Sequence, residues 1–200
     1  AAALVVWPFS LTEGLALPSR FAPLDWHVHE MLFGFVPAAI AGFILTAIPN
    51  WTGRAPINGQ PLAALLLLWV AGRIACFTSA LLPAWLGVGI DAAFLLALCF
   101  LVAREIVLAD NRRNLVMPVP IGVLLIANIL MHLEALGFGV PAGIGRRLGI
   151  AAVIFLITVI AGRIIPAFTR NWLSARAIKS LPPPAGRIDL IAIATLAIGL

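Results

Sequence analysis

Five apolar runs follow one another along this chain, at about residues 27–49, 61–80, 85–105, 116–136 and 148–168. A helix needs about 20 predominantly apolar residues to cross the hydrocarbon core of a bilayer. The runs are continuously apolar and lack a two-residue alternation, which argues against a membrane β-barrel. Composition leads the same way. Of 200 residues, 62% are hydrophobic and 10% charged, whereas a soluble domain carries about 25% charged residues. The expected fold is therefore all-α, a polytopic transmembrane helical bundle with residues 1–200 forming one transmembrane region. Shorter apolar runs at 1–9 and 190–200 read as partial spans, the second opening after Asp189 as a helix N-cap. Only 11 residues follow Asp189, too few to cross at about 1.5 Å per residue. The expectation is a fragment of a larger protein, whose partners are the lipid bilayer and the missing spans.

The loops fix an orientation. Residues 10–26, 50–60, 110–114 and 137–147 are polar or rich in Gly and Pro, and Leu82-Pro83 makes a very short link. Arg54, Arg104, Arg112, Arg113, Arg170, Arg176, Lys179 and Arg187 fall on one side, against Arg20, Arg146 and Arg147 on the other. Basic loops stay in the cytoplasm, so the first complete span starts outside and the fourth ends outside. The net charge of +5 is spread between apolar blocks with no dense basic patch, so a nucleic-acid partner is not expected. Residues 170–181 mix Trp172, Leu173 and Ile178 with basic residues, as an interfacial helix or helix extension does, and three prolines at 182–184 end it.

Orientation brings all three histidines to one depth. His27 and His29 open the first span, and His132 lies near the outer end of the fourth, about a hundred residues later. Glu30 and Glu134 accompany them, as do the thioethers of Met31 and Met131. Imidazole suits copper, zinc or haem iron, and a thioether favours Cu(I). His27 and His29 are two residues apart, about 200° around an ideal helix, and cannot face one metal from a regular turn. Either both reach from an extended segment or each serves a different centre. A carboxylate beside an imidazole can also orient it without ligating. The plain alternative is a set of interfacial residues beside Trp26. No HExxH, GxGxxG or Walker sequence occurs, and no spacing supports a Ser-His-Asp arrangement.

Charges inside the spans point the same way. Arg73 and Asp91 are each nine residues from the short turn near residue 82, so they lie at similar depth on antiparallel neighbours. An unpaired charge in lipid is costly, which predicts an Arg73–Asp91 pair. Arg73 could also balance a haem propionate, and Asp91 could relay protons. Asn128 lies one turn from His132 on a similar face. Arg104 and Glu105 sit at the inner interface, where both are expected to snorkel, as is Arg163. Cys76 and Cys99 lie within apolar runs, as buried small hydrophobes or as metal thiolates.

The segment WHVHEMLFGFVPAAIAGFILTAIPNWTGRAPINGQPLAALLLLWVAGR (26–73), Asp91, DNRRNL (110–115), NILMHLEALG (128–137) and AGRIIPAFTRN (161–171) closely resemble the NnrS family. The resemblance covers essentially the whole chain. It implies a polytopic bacterial inner-membrane protein that contains haem and copper and acts in nitric oxide metabolism or resistance to nitrosative stress. By resemblance His27, His29 and Glu30 form the prime cofactor element, and His132 is a further ligand. Arg73, Arg163 and Arg170 match recurrent basic positions. The full expectation is haem or copper bound by His27, His29, His132 and Arg73, with Glu30, Met31 and Met131 as further metal ligands and nitric oxide or a related small molecule as partner. Whether such a protein is an enzyme or a sensor stays open at this point. The rival readings are a secondary transporter, favoured by Arg73 and Asp91 but lacking a visible inverted repeat, and a structural membrane subunit without cofactor.

Overall fold

A computed structural model of the chain describes residues 2–12, 14, 16–178, 181 and 186–199. Every regular element among them is helical. In chain order these are α1 (Ala2–Thr12), α2 (Pro23–His29), α3 (Val36–Thr52), α4 (Gln60–Phe77), α5 (Ala84–Leu108), α6 (Pro118–Ala135), α7 (Ile144–Ala175) and α8 (Arg187–Gly199), with a wider π-helical turn at Glu30–Phe35 joining α2 to α3. Five stretches are long and apolar enough to cross a membrane, namely Pro23–Thr52, Gln60–Phe77, Ala84–Leu108, Arg112–Ala135 and Ile144–Ala175. The chain is a multi-pass membrane protein of the inner-membrane type.

Proline sets several of the helix starts. Pro23, Pro61 and Pro118 occupy the first turns of α2, α4 and α6, where the missing N–H would have no intrahelical partner anyway, and Pro37 stands in the first turn of α3. Pro37 also bears on the π-helical turn before it, because it cannot donate back to the carbonyl four residues earlier. Val36 N–H bonds instead to Met31 O, five residues back.

By compactness the chain divides into residues 1–150 and 151–200. In the first unit α5 packs against α3, α4 and α6. Its core holds Phe33, Ile44 and Ile48 from the first span, Leu95, Leu98, Val102 and Ile106 from α5, and Ile121 and Leu124 from α6, all essentially inaccessible. Leu67, Ile74, Phe100 and Ile126 are exposed. An apolar outer surface around an apolar core is the pattern lipid demands, since backbone polar groups must be satisfied inside each helix.

Some boundaries and contacts differ from the sequence reading. The first span begins at Pro23, and α4 ends at Phe77, followed by a single tight turn at Ser79–Leu81. Glu105 does not snorkel. It is buried, accepting from Arg54 Nε at 2.6 Å and lying 3.0 Å from Arg104 Nη1. Arg54 reaches in from the loop after α3, so the carboxylate is neutralised where it stands. In the second unit the basic segment after 170 continues α7 as far as Ala175, and Arg176 stacks over Trp172 at 3.6 Å. The α8 helix begins at Arg187, two residues before Asp189, and the prolines at 182–184 lie outside the described residues.

One loop is pinned across the end of the α4–α5 hairpin. Arg20 donates through Nε to Ser79 O and through Nη2 to Leu82 O, both at 2.9 Å. Its backbone N–H donates to Ser79 Oγ at 2.9 Å, and Ser19 Oγ lies 3.2 Å from the same hydroxyl and donates to Cys76 O at 3.1 Å. This clasp holds Phe21, buried, over the interior. Ser79→Ala strands the Arg20 amide and is expected to cost about 1–3 kcal/mol. A lowered thermal unfolding midpoint in mild detergent is the measurement that checks it.

Candidate metal centre

Four helices deliver polar side chains to one buried point beneath this clasp. His29 ends α2, Arg73 and Cys76 lie on the last turns of α4, Asp91 is in the second turn of α5, and Asn128 and His132 share a face of α6. Antiparallel neighbours put these positions at one depth, and packing around α5 also brings them together laterally. Asp91 Oδ2 lies 3.2 Å from His29 Nε2, 2.9 Å from His132 Nε2 and 2.8 Å from Asn128 Nδ2. His29 and Asn128 are wholly inaccessible, and Asp91 and His132 are buried. On the other edge of the His29 ring, Nδ1 lies 3.3 Å from Cys76 Sγ and 3.7 Å from Glu30 Oε1.

Arg73 ties the two carboxylates together. Its Nη1 donates to Glu30 Oε1 at 2.8 Å, and its Nη2 pairs with Asp91 Oδ1. Two glycines make room for it. A Cβ on Gly34 would lie 2.5 Å from Arg73 Nη1, and one on Gly72 would lie 3.1 Å from Asp91 Oδ1 and 3.3 Å from Asp91 Cα. The first lets the guanidinium cross the π-helical turn, and the second lets α4 approach α5 closely. Trp69 Nε1 donates to Gly34 O at 2.9 Å and fixes the same turn. Phe21 stacks on His29 with centroids 4.8 Å apart, and Phe33 lies 5.3 Å from that ring. The polar cluster is thus walled by aromatic rings.

Two groups of ligand atoms result, each within 4.8 Å of one another: His29, Asp91 and His132, and His29, Glu30 and Cys76. All five residues are buried. Oδ2 of Asp91 faces three nitrogens although a carboxylate oxygen offers about two lone pairs. A cation among these atoms relieves that crowding. Asn128 Oδ1 and Arg73 Nε are buried without a hydrogen-bond partner, so a further ligand or water has an acceptor and a donor waiting there. The donor set fits a metal ion. The cavity beside His132, lined also by Arg20 and Ser79, measures about 10 Å³, room for about one water.

The sequence-predicted residues separate accordingly. His29, His132, Glu30 and Arg73 converge. His27 does not: it stacks on Trp7 with centroids 4.1 Å apart, and its Nδ1 is buried without a partner. The two histidines of α2 thus leave a regular helix on different faces, and they do not reach one point from an extended segment. Met31 is half-buried in the π-helical turn. Met131 is buried and lines a 220 Å³ cavity with Arg20, Asp25, Glu134 and Arg146. Glu134 caps the following loop, accepting from Gly143 N–H at 2.9 Å. From the sequence alone Asp91 is a partner for Arg73 or a proton relay, and Cys76 chiefly a buried hydrophobe. The available signal was that Cys76 lies three residues after Arg73, hence on its face of α4.

Arg73→Leu leaves two carboxylates uncompensated and is expected to cost about 3–5 kcal/mol. Gly34→Ala, which shifts the guanidinium without deleting it, should cost about 1–3 kcal/mol. Thermal melts of both variants in detergent give that ranking, and equal midpoints would contradict it.

The family described as NnrS protein matches this chain over residues 1–200. No curated protein and no solved structure matches it. A match over the whole length, on a helical membrane bundle in which two of the three histidines meet in a metal-competent cluster, places this chain in the NnrS family.

Proposed function

We propose that this chain forms the metal-binding core of a membrane protein that handles nitric oxide, with copper held by His29 Nε2, His132 Nε2 and the Asp91 carboxylate. The observation that carries the reading is the convergence of two imidazole nitrogens and an amide on one carboxylate oxygen in a buried cluster. Imidazole with carboxylate suits copper, zinc or nickel, and membership of the NnrS family favours copper and nitric oxide among these. A copper ion bound there would supply a one-electron couple and a position for a small diatomic ligand.

The chain's own residues have distinct parts in this reading. Arg73 acts through Glu30 and Asp91, holding both carboxylates rather than touching a cofactor. Asn128 donates to Asp91 and keeps its own carbonyl free to accept from a bound water or substrate. Phe21 and Phe33 exclude bulk water from His29, and a drier site strengthens every electrostatic interaction within it. In this reading His27, which stands apart from the cluster against Trp7, is the imidazole left for a haem.

Metal analysis and absorption spectra of the intact protein in mild detergent test this reading. Expected are stoichiometric copper in the unaltered protein and at least a tenfold loss of copper affinity in each of His29→Ala, Asp91→Ala and His132→Ala. His27→Ala should keep that copper and lose any Soret band. Unchanged copper in all three cluster variants would reject the assignment.

A further inference from the structure

The His29 imidazole is shared between two sets of ligand atoms, one on each ring nitrogen. Nε2 faces Asp91 and His132, whereas Nδ1 faces Cys76 Sγ at 3.3 Å and Glu30 Oε1 at 3.7 Å. We infer that His29 Nδ1, Cys76 Sγ and Glu30 Oε1 form a second cation position, so that the imidazole bridges two ions. That bridged form rests on the reading above, in which an ion occupies the Nε2 side.

The chemistry of the two positions differs. The Nε2 side offers two imidazole nitrogens and a carboxylate. The Nδ1 side replaces one imidazole with a sulfur, and a soft thiolate selects a soft ion such as Cu(I). Cys76 and His29 are wholly inaccessible and Glu30 is buried, so an ion there would be shielded from competing water. Binding releases the Cys76 S–H proton, and bridging releases the remaining imidazole N–H proton, both to solvent; no bond beyond those to the metal is made. The thiolate, the bridging imidazolate and the two carboxylates then oppose Arg73 and the ions. Without an ion, Cys76 is a buried thiol in weak hydrogen-bond contact with Nδ1.

Anaerobic titration of the metal-depleted intact protein with Cu(I) alone, together with X-ray absorption at the copper edge, separates these states. Expected are one more equivalent of Cu(I) in the unaltered protein than in Cys76→Ser or Cys76→Ala, and a copper–sulfur distance near 2.3 Å, about that of zinc–thiolate bonds, that both variants lose. His132→Ala should also lose one equivalent while keeping the copper–sulfur signal. Equal uptake by the unaltered protein and both Cys76 variants would overturn the second position. If His132→Ala still lost its equivalent in that case, the Nε2 reading would stand alone. Equal uptake by all four proteins would overturn both.

Discussion

A carboxylate on a membrane-spanning helix has no water to solvate it, and the rest of this bundle is arranged around that difficulty at Asp91. Its partner is the Arg73 guanidinium, which also holds Glu30. Breaking such a buried pair is far more costly than never having made it, so every element that touches the guanidinium is constrained. Helix α4 must come close enough to α5 for Gly72 to lie against Asp91, and the first span must present Gly34 where the guanidinium crosses it. The π-helical turn at Glu30–Phe35 belongs to the same constraint. It carries Glu30 toward Arg73 and directs the Gly34 carbonyl to Trp69. π-helical turns within α-helices are uncommon and frequently occur at functional sites.

Much of the architecture is legible in the sequence because a bilayer simplifies the problem. Five spans follow from apolar length alone, and counting nine residues either side of the turn near residue 82 suffices to pair Arg73 with Asp91. The loop charges give depth, and depth brings His29 and His132 to one level. Depth is a single coordinate, however. Rotation about each helix axis and the packing of neighbours decide who meets whom in the membrane plane, and small residues set those contacts. His27 is therefore at the right depth yet stacked on Trp7. Glu105 shows the complementary case. Its position near a helix end suggests an exposed carboxylate, but Arg54 arrives from a loop 51 residues away to bury it.

The site itself was only partly legible for a related reason. Histidines stand out in an apolar sequence, whereas Cys76 looks like the small hydrophobes around it. Its significance depends on sharing a face of α4 with Arg73 and on the end of α2 arriving beside that face. Asn128 and His132, four apart on α6, form a readable pair, but their target on α5 is not readable. The walls are harder still. Phe21 reaches the cluster from a loop because Arg20 and Ser19 clasp the α4–α5 turn, a contact between residues about sixty positions apart that no periodicity encodes.

A purely structural network would be expected to satisfy its members with one another. Here the accounting does not close that way. Asp91 Oδ2 is approached by His29, His132 and Asn128, while the Asn128 carbonyl and Arg73 Nε, both buried close by, have no partner. Crowding of donors on one acceptor beside unfilled polar atoms is a poor solution for helix glue, since an unsatisfied polar group in a low-dielectric interior costs more than its hydrogen bond returns. It is a good solution for a positive ion. Imidazole N–H groups that compete for one carboxylate acceptor become lone-pair donors when each ring takes its other neutral tautomer and a metal binds. Exclusion of water from this buried cluster makes unsatisfied polar groups costly without an ion, and makes the ion's electrostatic attraction strong with one.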